Sequence, residues 1–253
     1  MPRLMRHYRL FFETAVIVAA IVLVKLAADR FGAEFINVSG LYTSIIAGGV
    51  FVLSIILSGV LADFKESEKI PSDLTASIES IYEDARAIAL TYPGLELNVL
   101  RLQLLTVISS ILMAVKSAHP DEALPAISAL AAPLAQMEAA GVPANYVLKL
   151  RQDQATLRRT LHRLHYIQTI QFLPSAYVLA ESIVVLIVAL MVFSKLEPWL
   201  DGVILTGFVS YLFIFLLKLI RLVETPFKGE PDRTRDDISM FLLRELEERL
   251  RHA

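Results

Sequence analysis

Between Leu41 and Ala62 the chain carries no charged residue, and Asp63 then ends the run abruptly. At the α-helical rise this stretch is about 33 Å long, enough to cross the hydrocarbon core of a bilayer. In lipid, backbone N–H and C=O groups must be satisfied within the spanning segment, so the run is read as a transmembrane helix. Ala47, Phe51 and Ile55 recur at i, i+4 and i+8 and share one face, while Ser54, Ser58 and Ala62 form a neighbouring stripe of small residues. Two readings of that face stay open. It lines a pore, or it is a lipid-facing surface whose small residues serve helix packing, and periodicity alone does not choose between them.

The rest of the chain sets the context for such a helix. Of 253 residues, 55% are hydrophobic and 20% charged, with a mean hydropathy of +0.57. That is too apolar for an ordinary soluble domain and too charged to lie wholly in lipid, so a membrane protein with a water-exposed part is expected. A net charge of −2 offers no basic excess to neutralise a phosphate backbone, and nucleic acid is not an expected partner. The absence of cysteine removes disulfides, thiolate metal sites and cysteine nucleophiles.

An apolar run from Leu10 to Ala28, interrupted by Glu13 and Lys25 near its ends, follows Arg3, Arg6, His7 and Arg9. A signal peptide would share the basic start and the small Ala27-Ala28 pair, but the run exceeds the roughly 7–15 residues of an h-region, and a retained helix is preferred. Lys25 is then expected to snorkel to the outer interface. Two further spans are expected over 174–194 and 203–223. The loops at 29–40 and 195–202 hold one Arg and one Lys respectively, whereas Lys218, Arg221, Lys228, Arg233 and Arg235 cluster at the other end. The positive-inside bias places both termini in the cytoplasm. Compactness and the lack of a targeting segment point to a bacterial inner membrane.

From Asp63 to Ile170 the composition turns mixed and helically periodic. Pro71, Pro93-Gly94, His119-Pro120 and Gly141-Val142-Pro143 divide it into four expected helices near 73–92, 95–118, 121–140 and 144–169. The last carries Arg158, Arg159, His162, Arg163 and His165, read either as a basic lining that draws anions or as a solvated face paired with acids. His162 and His165 stand at i, i+3, but no third ligand is placed with them in the sequence, and no metal or other cofactor is expected. Glu181, about a turn and a half inside the third span, is the most expensively placed charge. Lys218 is its expected partner, as a structural ion pair or a protonation-sensitive gate, and Glu13 lies at a similar depth. With no Ser-His-Asp order, zincin pattern or phosphate loop, an enzyme is not expected.

Four segments, in order, resemble the bestrophin family. Phe51-Val52-Leu53 leads to Glu68-Lys69-Ile70-Pro71-Ser72-Asp73, similar to the family's second helix and its Glu-x-x-Pro-x-Asp exit. Pro174-Ser175-Ala176-Tyr177 resembles its Pro-x-x-Tyr segment. Glu224-Thr225-Pro226-Phe227-Lys228-Gly229 resembles Glu-x-Pro-Phe-Gly, and Asp236-Asp237-Ile238 stands where bestrophins carry an Asp-rich segment before a cytosolic helix. The resemblance implies an all-α integral membrane protein with four transmembrane helices (about 10–28, 41–62, 174–194 and 203–223). A cytosolic helical bundle (63–172 and 224–253) completes a single domain over 1–253. It further implies a homopentamer with a central pore for chloride or other monovalent anions. By the same resemblance Phe51 falls on a neck position with Ala47 and Ile55 one step to either side, and Leu173 falls on a narrow cytosolic aperture. Departures are also legible. Lys228 interrupts Pro226-Phe227 and Gly229, and Arg233 and Arg235 break the acidic run that a calcium site of the animal type would need. Trp199 is the only tryptophan, so the family's tryptophan-rich stretch after the second helix is missing.

The function expected from these residues is a pentameric anion channel with a hydrophobic neck. The alternative is a non-conducting membrane scaffold or receptor-like protein, whose Ala47 face only packs and whose polar helices bind a partner.

Overall fold

The computed structural model describes residues 9–37, 40–117, 119–169, 174–227 and 237–253, and these are almost entirely α-helical. In chain order the helices are α1 (Arg9–Phe31), α2 (Gly40–Ser67), α3 (Ile70–Thr91), α4 (Leu97–Ser117), α5 (Leu124–Ala129), α6 (Ala131–Ala139), α7 (Ala144–Thr169), α8 (Pro174–Val192), α9 (Trp199–Glu224) and α10 (Phe241–His252). A 3-10 turn, Pro120–Ala123, precedes α5, and two-residue strands β1 (Ile36–Asn37) and β2 (Ser194–Lys195) follow α1 and α8. The chain divides into two compact units: Met1–Phe64 with Gln171–Glu224, and Lys65–Ile170 with Thr225–Ala253.

Among the described residues, five helical stretches are long and apolar enough to cross a membrane: Leu10–Phe31, Tyr42–Thr91, Leu97–Ser117, Ala144–Val192 and Trp199–Glu224. Four of them overlap the expected spans. The fifth, α4, belongs to the second unit, where Leu100, Leu104, Val107, Ile108 and Ile111 are buried in the core. Its apolar stripe meets other protein side chains, which accounts for its composition without lipid.

In the first unit α1 lies along α9 and also touches α8, and α8 packs on α9. The buried side chains of α2 join the same cluster: Tyr42, Leu53, Ile56 and Val60 pack with Ala180, Val184, Ile187 and Met191 of α8 and with Val209, Phe213 and Ile220 of α9. Gly49 allows the approach, because a Cβ there would collide with Ile187 and come within 3.0 Å of the Phe213 ring and 3.1 Å of Ile183. Small residues at such crossings let apolar helices gain dispersion contact in lipid, where no hydrophobic effect drives them together. At one end of the unit the two inter-helix linkers meet as a parallel bridge, Ile36 opposite Ser194 and Asn37 opposite Lys195. Phe35 stacks on Phe193 beside that bridge, with ring centroids 5.3 Å apart.

The second unit is a helical bundle whose core comes from stripes at helical spacing. Leu74, Ile78, Ile81 and Ala85 of α3 meet Leu157, Leu161 and Leu164 of α7, while Leu243, Leu246 and Leu250 of α10 close the bundle against α3 and α4. Polar ties cross it: Ser80 donates to Asp153 (2.9 Å), and Gln154 donates to the Ile127 carbonyl (2.7 Å). The helix expected over 121–140 is instead the 3-10 turn followed by α5 and α6. Pro125 and Pro133 explain the breaks, since each lacks an N–H and crowds the turn before it. Gly141 ends α6 at φ +86°, a left-handed conformation that suits glycine.

Candidate functional site

The face of α2 opposite its packed stripe turns away from the rest of the unit. Ala47, Phe51, Ser54, Ile55, Ser58 and Ala62 are all exposed, Phe51 by 66% and Ile55 by 57%. The helical period divides α2 in this way: the buried positions Gly49, Leu53, Ile56 and Val60 mark one side, and the expected neck residues lie on the other. Hydroxyls on this helix fold back onto its own carbonyls, Ser44 on Gly40 (3.0 Å) and Ser54 on Val50 (2.7 Å). Such bonds satisfy the hydroxyls internally and leave an uncharged, largely apolar face. Leu173, the expected aperture residue, lies outside the described residues.

The expected Glu181–Lys218 pair is corrected. Glu181 is bonded to Arg221, and Lys218 reaches Glu13 at 3.1 Å. The reason is helical phase. Lys218 and Arg221 are one turn apart on α9 but about 60° apart around it, so one meets α1 and the other meets α8. Lys25 is corrected as well. Rather than snorkelling outward, it is 1% exposed and bonds Asp29 (2.7 Å), Glu34 (2.5 Å) and the Ser194 carbonyl (2.6 Å). The ammonium thus ties α1 to the linkers on either side of the β bridge. Donation from Lys25 holds the Glu34 carboxyl below the usual carboxylate range, with Asp29 adding to the effect. Nothing in the sequence flagged this cluster beyond the presence of a lysine in an apolar run.

On α7, Arg163 pairs with Glu66 at 2.6 Å and lies over the Tyr166 ring. Arg158 donates to Ser128 at 3.1 Å. His165 has Asp121 at 3.8 Å, a carboxylate from a distant turn that sequence spacing did not place beside it. Part of the basic face is therefore paired, as the solvated-face reading expects.

No protein-family model matches the sequence, and no curated protein matches it. Solved structures do match. A bacterial bestrophin homologue from Klebsiella pneumoniae aligns with a TM-score of 0.76 and 13% identity, over 96% of each chain. Two single-substitution variants of that homologue align at a TM-score of 0.80. One is 11% identical over 95% of this chain and 97% of its own, and the other 12% identical over 97% and 96%. The architecture is that of an all-α membrane protein. More particularly, the chain has the bestrophin fold.

Proposed function

We propose that the chain is one subunit of a pentameric anion channel in a cell membrane, with Ala47, Phe51 and Ile55 of α2 as its neck. The observation that carries this reading is the exposed face of α2. It lies in the longest uncharged run of the sequence, its opposite side is packed, and large apolar side chains on it are exposed in the subunit. The bestrophin fold supports the reading further. Around a five-fold axis these residues form stacked rings, a hydrophobic constriction that empties of water when narrow and passes easily dehydrated ions when wider. Aromatic edges are electropositive, so a ring of Phe51 edges favours a partly dehydrated anion over a cation without a charged filter. Leu173 is assigned to a second constriction. Both termini are assigned to the cytoplasm and the membrane to the bacterial inner membrane.

The test is current through purified oligomer in a planar bilayer under a chloride gradient. A reversal potential near the chloride equilibrium value is expected, with larger conductance or a constitutively open pore in Phe51→Ala. Current unchanged by the substitution removes Phe51 from the neck. Silence from an intact oligomer favours a non-conducting scaffold.

A further inference from the structure

We propose that the groove between α1 and α8 is a binding site for one acyl chain of a membrane phospholipid. The proposal concerns the first unit alone and does not depend on conduction.

The groove follows from how α1 is seated. Helix α1 lies along α9, where Gly207 lets it come close: a Cβ there would be 3.4 Å from Val22. Its contact with α8 is slighter, and a cavity of about 520 Å³ opens between the two, with Ile214 of α9 also lining it. Among the described residues, every side chain along the groove is aliphatic except the Phe193 ring. Ile21 and Val24 stand on one side, Val185 and Val188 on the other. In a helix, Val and Ile are held to one strongly preferred χ1 rotamer, so these walls do not swing in to fill the space. Ala20 and Ala189 are too short to cross it. Residue shape therefore keeps the groove open before anything enters.

Its dimensions and surroundings point to the occupant. From Ile17 to Val24 α1 advances about 11 Å, and from Val184 to Val192 α8 advances about 12 Å. Half of a hydrocarbon core of about 30 Å is about 15 Å, so the groove spans most of one leaflet, the reach of a single acyl chain. At one end Phe193 adjoins the bridge between Ile36 and Ser194, where polar groups begin. That end marks the level of the headgroup. The cations there do not select one. Lys25 is held by Asp29 and Glu34, Lys195 has Glu197 at 3.6 Å, and Arg30 stands about 120° round α1 from Val24. Recognition thus rests on the chain. An empty groove leaves its walls without dispersion partners, and a chain supplies them. A helix of a second copy suits this surface less well. Membrane helices associate through small residues and interhelical hydrogen bonds, whereas eight of the eleven lining residues are Val or Ile.

The test uses the full-length oligomer in detergent. Native mass spectrometry counts the phospholipid it retains, and melting temperature is followed after delipidation as phosphatidylcholine or phosphatidylglycerol is added back. About one phospholipid per subunit should be retained, as a cavity of this size takes one ligand. The melting temperature should rise with lipid concentration, equally for the two headgroups. Ala189→Phe, alone or with Ala20→Phe, fills the groove. These variants should lose the retained lipid and the lipid-dependent rise, yet melt without lipid no lower than wild type. Ala19→Phe, at an exposed position of α1 outside the groove, should keep both. Should the filled variants fail to assemble, a cryo-electron microscopy map of the wild-type oligomer in lipid nanodiscs decides, with chain-shaped density expected between α1 and α8. Equal retention in wild type and filled variants, a rise confined to phosphatidylglycerol, an empty groove, or side chains of a second copy within it would each overturn the proposal. None of these outcomes bears on the neck, which the Phe51→Ala currents test separately.

Discussion

At Glu34 the carboxylate lies 2.5 Å from the buried Lys25 ammonium, and its pKa is lowered by that bond. A depressed folded-state pKa favours the ionised form in the native protein. The resulting stability is fully present above the ordinary glutamate value of about 4.3, and is lost as pH falls through the lower folded-state value. Glu34→Gln should therefore flatten the acid limb of melting temperature against pH, measured by thermal unfolding in detergent. A limb as steep as that of wild type would remove Glu34 from the linkage. The second prediction at this scale concerns partners. Glu181→Arg combined with Arg221→Glu should recover the thermal stability lost in either single variant, whereas Glu181→Arg with Lys218→Glu should not. Recovery in the second combination alone would restore the pairing expected from sequence. Both ion pairs join different helices, and a one-dimensional reading could name the charges without assigning them.

Gly49 shows what an element requires that its own sequence does not state. As a glycine in a helix interior it costs roughly 1 kcal/mol against alanine, yet its position admits no side chain without displacing Ile187 or the edge of Phe213. Gly49→Leu should destabilise the protein by about 1–3 kcal/mol, the usual range for overpacking, in thermal or denaturant unfolding in mild detergent. Gly48→Leu is the control, because nothing lies within 4 Å of a Cβ built there. Equal effects at the two positions would mean that the close approach of α2 to α8 and α9 contributes little. The other elements were legible to differing degrees. Pro71 marked a helix start that the structure keeps, at α3. Pro125 and Pro133 were equally visible but were read through, and the expected 121–140 helix broke at them. Helix α4 shows the converse. Its composition would suit a membrane, and only its neighbours in the bundle decide where its stripe is buried.

For the whole molecule, the sequence by itself determined the class and much of the plan: an all-α membrane protein, several long apolar helices, and the bestrophin-like order of its segments. It also determined which residues of α2 share the Phe51 face. These properties are local, since chain length per residue and the 3.6-residue period are set by backbone geometry alone. Tertiary structure decided which side of α2 is packed and which is left open, a choice made by Gly49 against Phe213 and Leu53 against the α8–α9 cluster. It decided that Lys25 is buried among Asp29, Glu34 and the Ser194 carbonyl, 169 residues away. It also gave Glu181 to Arg221 and Lys218 to Glu13. Each of these outcomes depends on the azimuth of one helix relative to another. That angle is set by the packing of many side chains at once, so no single stretch of sequence encodes it.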